Sequence, residues 1–241
     1  MSNPLSLNLY TYVYNNPLKY TDPSGHDAYF FYGLAHGENG GFSERAEIDA
    51  KRWEEENGTK AHLYAITSEE DFIAFWDSMG SGGVDIELVS LYFHSNAQNI
   101  IIDYTKGEYL TTNASGLTPG GSSATWIGLL LKHDINTLIL YACNSAHQNY
   151  RSSNLAVTFM LYQNVNEVYG WDGSMKWSGK NGDTMLSNSQ DYFESHLPNG
   201  VKRDAQGLIR YYRVGSNHFG SEKVNHYKKN WQGKRVWDSI F

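Results

Sequence analysis

The chain holds a single cysteine, Cys143. One thiol excludes an internal disulfide framework and any zinc site built on several cysteines. Basic residues are in deficit, with 19 Lys/Arg against 26 Asp/Glu and a formal net charge of −7. That balance disfavours a nucleic-acid-binding protein. Long apolar runs are missing too. None approaches the ~20 residues of a membrane-spanning helix, and residues 1–20 lack the basic start and unbroken apolar stretch of a signal peptide. The histidines show no His-Glu-x-x-His or comparable ligand spacing, and the glycine clusters lack the strand-to-helix context of a phosphate loop. Neither a catalytic metal nor a cofactor is expected.

What remains is 241 residues, 40% apolar and 19% charged, which suits one large globular domain with small appendages. Charge is uneven. Residues 1–190 carry 10 Lys/Arg against 21 Asp/Glu, and residues 191–241 carry 9 against 5. A basic, aromatic end (Trp231, Trp237, Phe241) is expected to dock on an acidic body.

The most informative stretch is 137–145, Thr-Leu-Ile-Leu-Tyr-Ala-Cys-Asn-Ser. An apolar run of strand length ends in Cys143, and its composition suits a strand buried on both faces. A second run, Ile86 to Phe93, ends in His94. Open α/β sheets place their chemistry at the carboxyl ends of such strands. A lone cysteine is more often an inert core residue than a nucleophile. A histidine at the exit of a second buried strand reverses that balance, because an imidazole can take the thiol proton and the thiolate is the attacking species.

Around these runs β and α patterns alternate. Strands are expected at 28–34, 61–66, 86–93, 137–141 and 167–171, with a later one at 208–214. Helices are expected from Ser43 to Asn57, from Glu69 to Met79, from Ser122 or Ser123 to Lys132, over 153–163 and over 189–197. Residues 100–112 read as a hairpin with a Gly107 turn. Short links between alternating elements predict a mostly parallel sheet with helices on both faces.

His94 after one apolar block, and Ala142-Cys143-Asn144-Ser145-Ala146 after the next, resemble the caspase-like cysteine peptidases. That group includes gingipains, clostripain, separase and the CHAT-domain proteases. The separation of 49 residues matches the ~50 of caspases. The resemblance spans about 28–175. It implies His94 and Cys143 as a catalytic dyad, backbone N–H groups of Ser95 and Cys143 as oxyanion donors, and a hairpin after the histidine strand. It also implies a substrate pocket near Trp171 and Asp172, where an acid would select Arg or Lys; the residues themselves, Trp171-Asp172-Gly173, read rather as a turn aspartate. The family usually has glycine where Ser95 stands. His36, followed by Gly37, is the rival base, and His147 is expected on the surface near the site.

Residues 16–25, Asn-Pro-Leu-Lys-Tyr-Thr-Asp-Pro-Ser-Gly, resemble the closing segment of the core domain of Rhs, YD-repeat and insecticidal toxin-complex proteins. There a variable toxin follows the core directly, and the core's own aspartyl protease cuts the junction. The family usually carries leucine where His26 stands. The resemblance implies residues 1–26 as a remnant of that core, 27–175 as a caspase-like peptidase domain and 176–241 as an extension packed on it. It implies a delivered effector acting on a protein substrate in the target-cell cytosol, with a cognate immunity protein and a parent Rhs shell as partners. The alternatives are a deamidase or transglutaminase using the same dyad, or a non-peptidase effector with a structural Cys143.

Overall fold

A computed structural model describes residues 26–34, 41–118, 120–178, 183–186, 205–215 and 218–224. His36, the helix expected at 189–197, the N-terminal core remnant before His26 and the aromatic end at 231–241 lie outside the described residues.

The described residues open with β1 (His26–Gly33), α1 (Phe42–Asn57), β2 (Ala61–Ile66), α2 (Glu69–Asp77) and β3 (Asp85–Tyr92). Four short strands follow: β4 (His94–Ser95), β5 (Asn99–Asp103), β6 (Glu108–Thr111) and β7 (Thr125–Trp126). Then come β8 (Ile135–Tyr141), α3 (Leu155–Tyr162) and β9 (Val165–Asp172). A hairpin of β10 (Met175–Ser178) and β11 (Asp183–Leu186) precedes β12 (Gly207–Arg213) and β13 (Phe219–Lys223).

Seven strands form one sheet in the order β13-β12-β9-β8-β3-β1-β2. The five from β2 to β9 run parallel. β12 and β13 are antiparallel, so part of the expected extension continues the sheet itself. The helices cover both faces. Phe42, Ala46, Ala50 and Trp53 of α1 pack with Phe30, Leu88, Tyr92 and Ile139 on one side. Phe72 and Trp76 of α2 join Phe159 and Met160 of α3 on the other. No helix among the described residues is long and apolar enough to cross a membrane.

Helix ends follow local chemistry. Ser68 caps α2 by accepting the Asp71 N–H at 3.1 Å. Gly58 ends α1 in the left-handed region at φ 69°. Ser43 does not cap α1. The cap position falls two residues earlier, on Gly41 at φ 66°, a conformation a serine would adopt only with strain.

The larger departure lies between β3 and β8. The helix expected over 122–132 is absent, and the crossover is instead a four-stranded sheet in the order β4-β5-β6-β7. It contains the expected hairpin, here β5 with β6. Only Ile127 and Leu130 point inward, one 3₁₀ turn apart, while Leu129 and Leu131 are 73% and 52% exposed. That leaves no apolar stripe for an α-helix to bury.

Beneath the carboxyl ends of β3 and β8 lies a buried ion pair. Arg45 Nε donates to Asp49 Oδ2 at 2.7 Å, and the Tyr92 hydroxyl donates to the same oxygen at 2.8 Å. Burial and the neighbouring Asp49 carboxylate hold the Tyr92 phenol well above its ordinary pKa. Asp49→Ala would leave the Arg45 charge without its counter-ion, a loss of ~3–5 kcal/mol. Urea unfolding should show that loss, and combining Arg45→Met with Asp49→Leu should recover most of it. A double variant as unstable as the single one would mean that the orphaned charge is not the cause.

Candidate active site

Tyr92 and Tyr141 are partners in the β3–β8 ladder, and their rings stack at 4.5 Å. His94 and Cys143 each follow their tyrosine by two residues. The Phe93 N–H donates to the Tyr141 carbonyl at 3.4 Å, carrying the pairing one step beyond the strands. Neighbouring strands lie ~4.8 Å apart, so the register itself brings the imidazole and the thiol to the same end of the sheet. Both line one cavity of about 290 Å³. Its other walls are Phe42, Phe93, Tyr141, Met175 and Trp177.

His94 is exposed and meets the Phe42 ring edge-on at 4.9 Å. Cys143 is half-buried, with its Sγ 3.9 Å from the Met175 carbonyl oxygen. Burial pushes the Cys143 thiol above its ordinary pKa. The thiol is therefore protonated at neutral pH, and attack requires a base to take the proton. No helix N-terminus supplies positive potential directly after the cysteine, since α3 begins at Leu155.

Ser95, where the resemblance leads one to expect glycine, sits without backbone strain. Among the described non-glycine residues only Asn144 and Asn164 take positive φ. The Ser95 hydroxyl donates to the Cys143 carbonyl, tying the segment that carries the histidine to the one that carries the cysteine.

The loop after Cys143 is held against β9. Asn144 turns the chain at φ 58°, a region asparagine tolerates better than most residues. The Asn144 N–H donates to Gly173 O and the Ala146 N–H to Trp171 O, both at 2.9 Å. The Trp171 N–H donates to Ser145 Oγ at 3.0 Å. This close approach explains Gly170: a Cβ there would lie 3.0 Å from both Ala146 Cβ and Ser145 Oγ.

Trp171 and Asp172 are brought to the site's underside, not to the cavity wall. Both are 0% exposed. The Asp172 carboxylate accepts the Gln148 N–H at 3.0 Å on one oxygen and the Gln206 N–H at 2.9 Å on the other. It fastens the Cys143 loop to the segment leading into β12, and it is not placed to meet a substrate side chain. His147, expected on the surface, is 1% exposed. Its Nδ1 accepts the Asn149 N–H at 3.1 Å within the same loop. Among the described residues no group of three or more His, Cys, Asp or Glu is placed to hold a metal ion.

The residues that sequence reasoning missed are Met175 and Trp177. Glycine-punctuated polar sequence masked a four-residue strand, although their spacing of two is the signal of one strand face. Comparison of the chain with protein-family models, curated proteins and solved structures finds no match.

Alkylation by iodoacetamide tests the pairing. In His94→Ala the rate at Cys143 should climb about tenfold per pH unit between about pH 7 and 9, because only the thiolate reacts and its pKa is raised. The unaltered chain should exceed the variant at pH 7 by at least ~10-fold, since the imidazole takes the proton locally. Equal rates at pH 7 would remove His94 from the chemistry.

Proposed function

We propose that this chain is a cysteine endopeptidase effector, with Cys143 as nucleophile and His94 as general base and acid. The observation that carries the proposal is the shared exit from registered strands: both side chains leave β3 and β8 two residues past a paired tyrosine and line one cavity. A thiol kept only for packing has no need of an imidazole across that cavity.

The proposed reaction is hydrolysis of a peptide bond through a thioester. The imidazole takes the Cys143 proton as sulfur forms a C–S bond to the substrate carbonyl carbon. The carbonyl π pair moves onto oxygen, and the N–H groups of Ser95 and Cys143 are the proposed donors to it. When the oxyanion collapses the C–N bond breaks, and the amine leaves with the proton from the imidazolium. Water then attacks the thioester carbon and gives its proton to the imidazole. The C–S bond breaks, the carboxylic product leaves, and the thiol regains its proton.

Delivery as an Rhs-type toxin is the reading that the wording of residues 16–25 supports. The enzyme would then act on protein in a target-cell cytosol, and a producing bacterium would need a cognate immunity protein. Producing the chain in the bacterial cytosol, or in a eukaryotic cell if bacteria are not the target, should slow growth. Cys143→Ala should abolish the effect, and His94→Ala should cut turnover by ~10²–10⁴-fold. Full toxicity of the Cys143→Ala protein would contradict the proposal.

A further inference from the structure

The cavity at Cys143 carries information about what the nucleophile accepts. We propose that it takes an uncharged, apolar side chain of the size of Leu, Met or Phe, from the residue whose carbonyl is attacked. This rests on the peptidase reading above and adds the substrate class.

Three observations support it. Among the described residues every wall other than the dyad is aromatic or a thioether, and no Asp, Glu, Lys or Arg lines the cavity. The aromatic surface is continuous: the Phe42 ring lies 4.9 Å from His94 and 5.5 Å from Trp177, edge-on to both. Met175 and Trp177 alternate along β10 and both reach the cavity. A charged side chain entering this space would lose its water and meet no opposite charge among the described residues.

Two buried carboxylates of the surrounding structure are already committed elsewhere. Asp172 is fully buried, with both carboxylate oxygens accepting backbone N–H groups. Asp49 is bound to Arg45 and Tyr92 beneath the sheet end. Neither is placed as a counter-ion for a substrate Arg or Lys. A volume of about 290 Å³ sits at the lower end of ligand pockets, which start near ~300 Å³. That suits one large side chain.

Peptidyl chloromethyl ketones test the assignment on the full chain. A set identical except for the residue next to the reactive group (Phe, Leu, Arg or Asp) is followed by intact mass, each addition forming a thioether at Cys143 with loss of chloride. The Phe or Leu probe should add at least ~10-fold faster than the Arg or Asp probe, the scale at which apolar pockets discriminate. Met175→Glu should raise the ratio of the Arg-probe rate to the Leu-probe rate, and Met175→Gln should not, a charge-specific reversal within one protein that a merely misfolded variant would not produce. If a charged probe adds as fast as the apolar ones, the pocket assignment is overturned and the peptidase reading stands. If no peptidyl probe adds while iodoacetamide still labels Cys143, both fall.

Discussion

The parallel pairing of β3 with β8 is the constraint on which the site depends. Leu88, Val89 and Leu91 on one strand, and Leu138, Ile139 and Leu140 on the other, are all fully buried. Both faces of both strands are therefore packed, and a slip of one residue would turn every side chain to the opposite face. Such a slip would also part the Tyr92–Tyr141 stack and carry Cys143 away from His94. The burial that stabilises the sheet is thus the same physical term that sets the spacing of imidazole and thiol. The proposed chemistry needs no separate device to bring them together. It needs the loops that follow to keep them there.

Those loops are held by polar groups outside the cavity lining. Ser95 grips the Cys143 carbonyl, β9 holds residues 144–146 by backbone bonds, and Asp172 fixes Gln148. Tyr211 of β12 accepts from both Gln148 and Asn154 at 3.0 Å. The antiparallel strand β12 therefore acts as a brace for the loop after Cys143. Buried donors and acceptors of this kind are costly when left unmatched, so the loop has few alternative positions.

How much of this was legible in the sequence depended on the length of the apolar signal. The runs 86–93 and 137–141 are long, apolar and sharply ended, and they yielded both the parallel sheet and the placement of His94 and Cys143 at one of its ends. The segment 122–132 misled because Leu129, Leu130 and Leu131 look like helix material, yet only Leu130 is buried among them. Which leucine faces inward is decided by the neighbouring sheet, not by composition. Asp172 is ambiguous in a different way. A carboxylate after a strand reads equally as a pocket acid or as an anchor for loop N–H groups, and only the position of Gln148, 24 residues earlier, separates the two. Met175 and Trp177 were hidden because β10 is a strand of four residues in glycine-rich surroundings.

The central claim is that Cys143, activated by His94, cuts peptide bonds in protein. Its most direct test is a proteome-wide map of new protein N-termini in cells producing the unaltered chain, compared with cells producing Cys143→Ala. The account predicts discrete new termini that depend on Cys143 and are sharply reduced by His94→Ala. A toxic chain that generates no Cys143-dependent termini would contradict it.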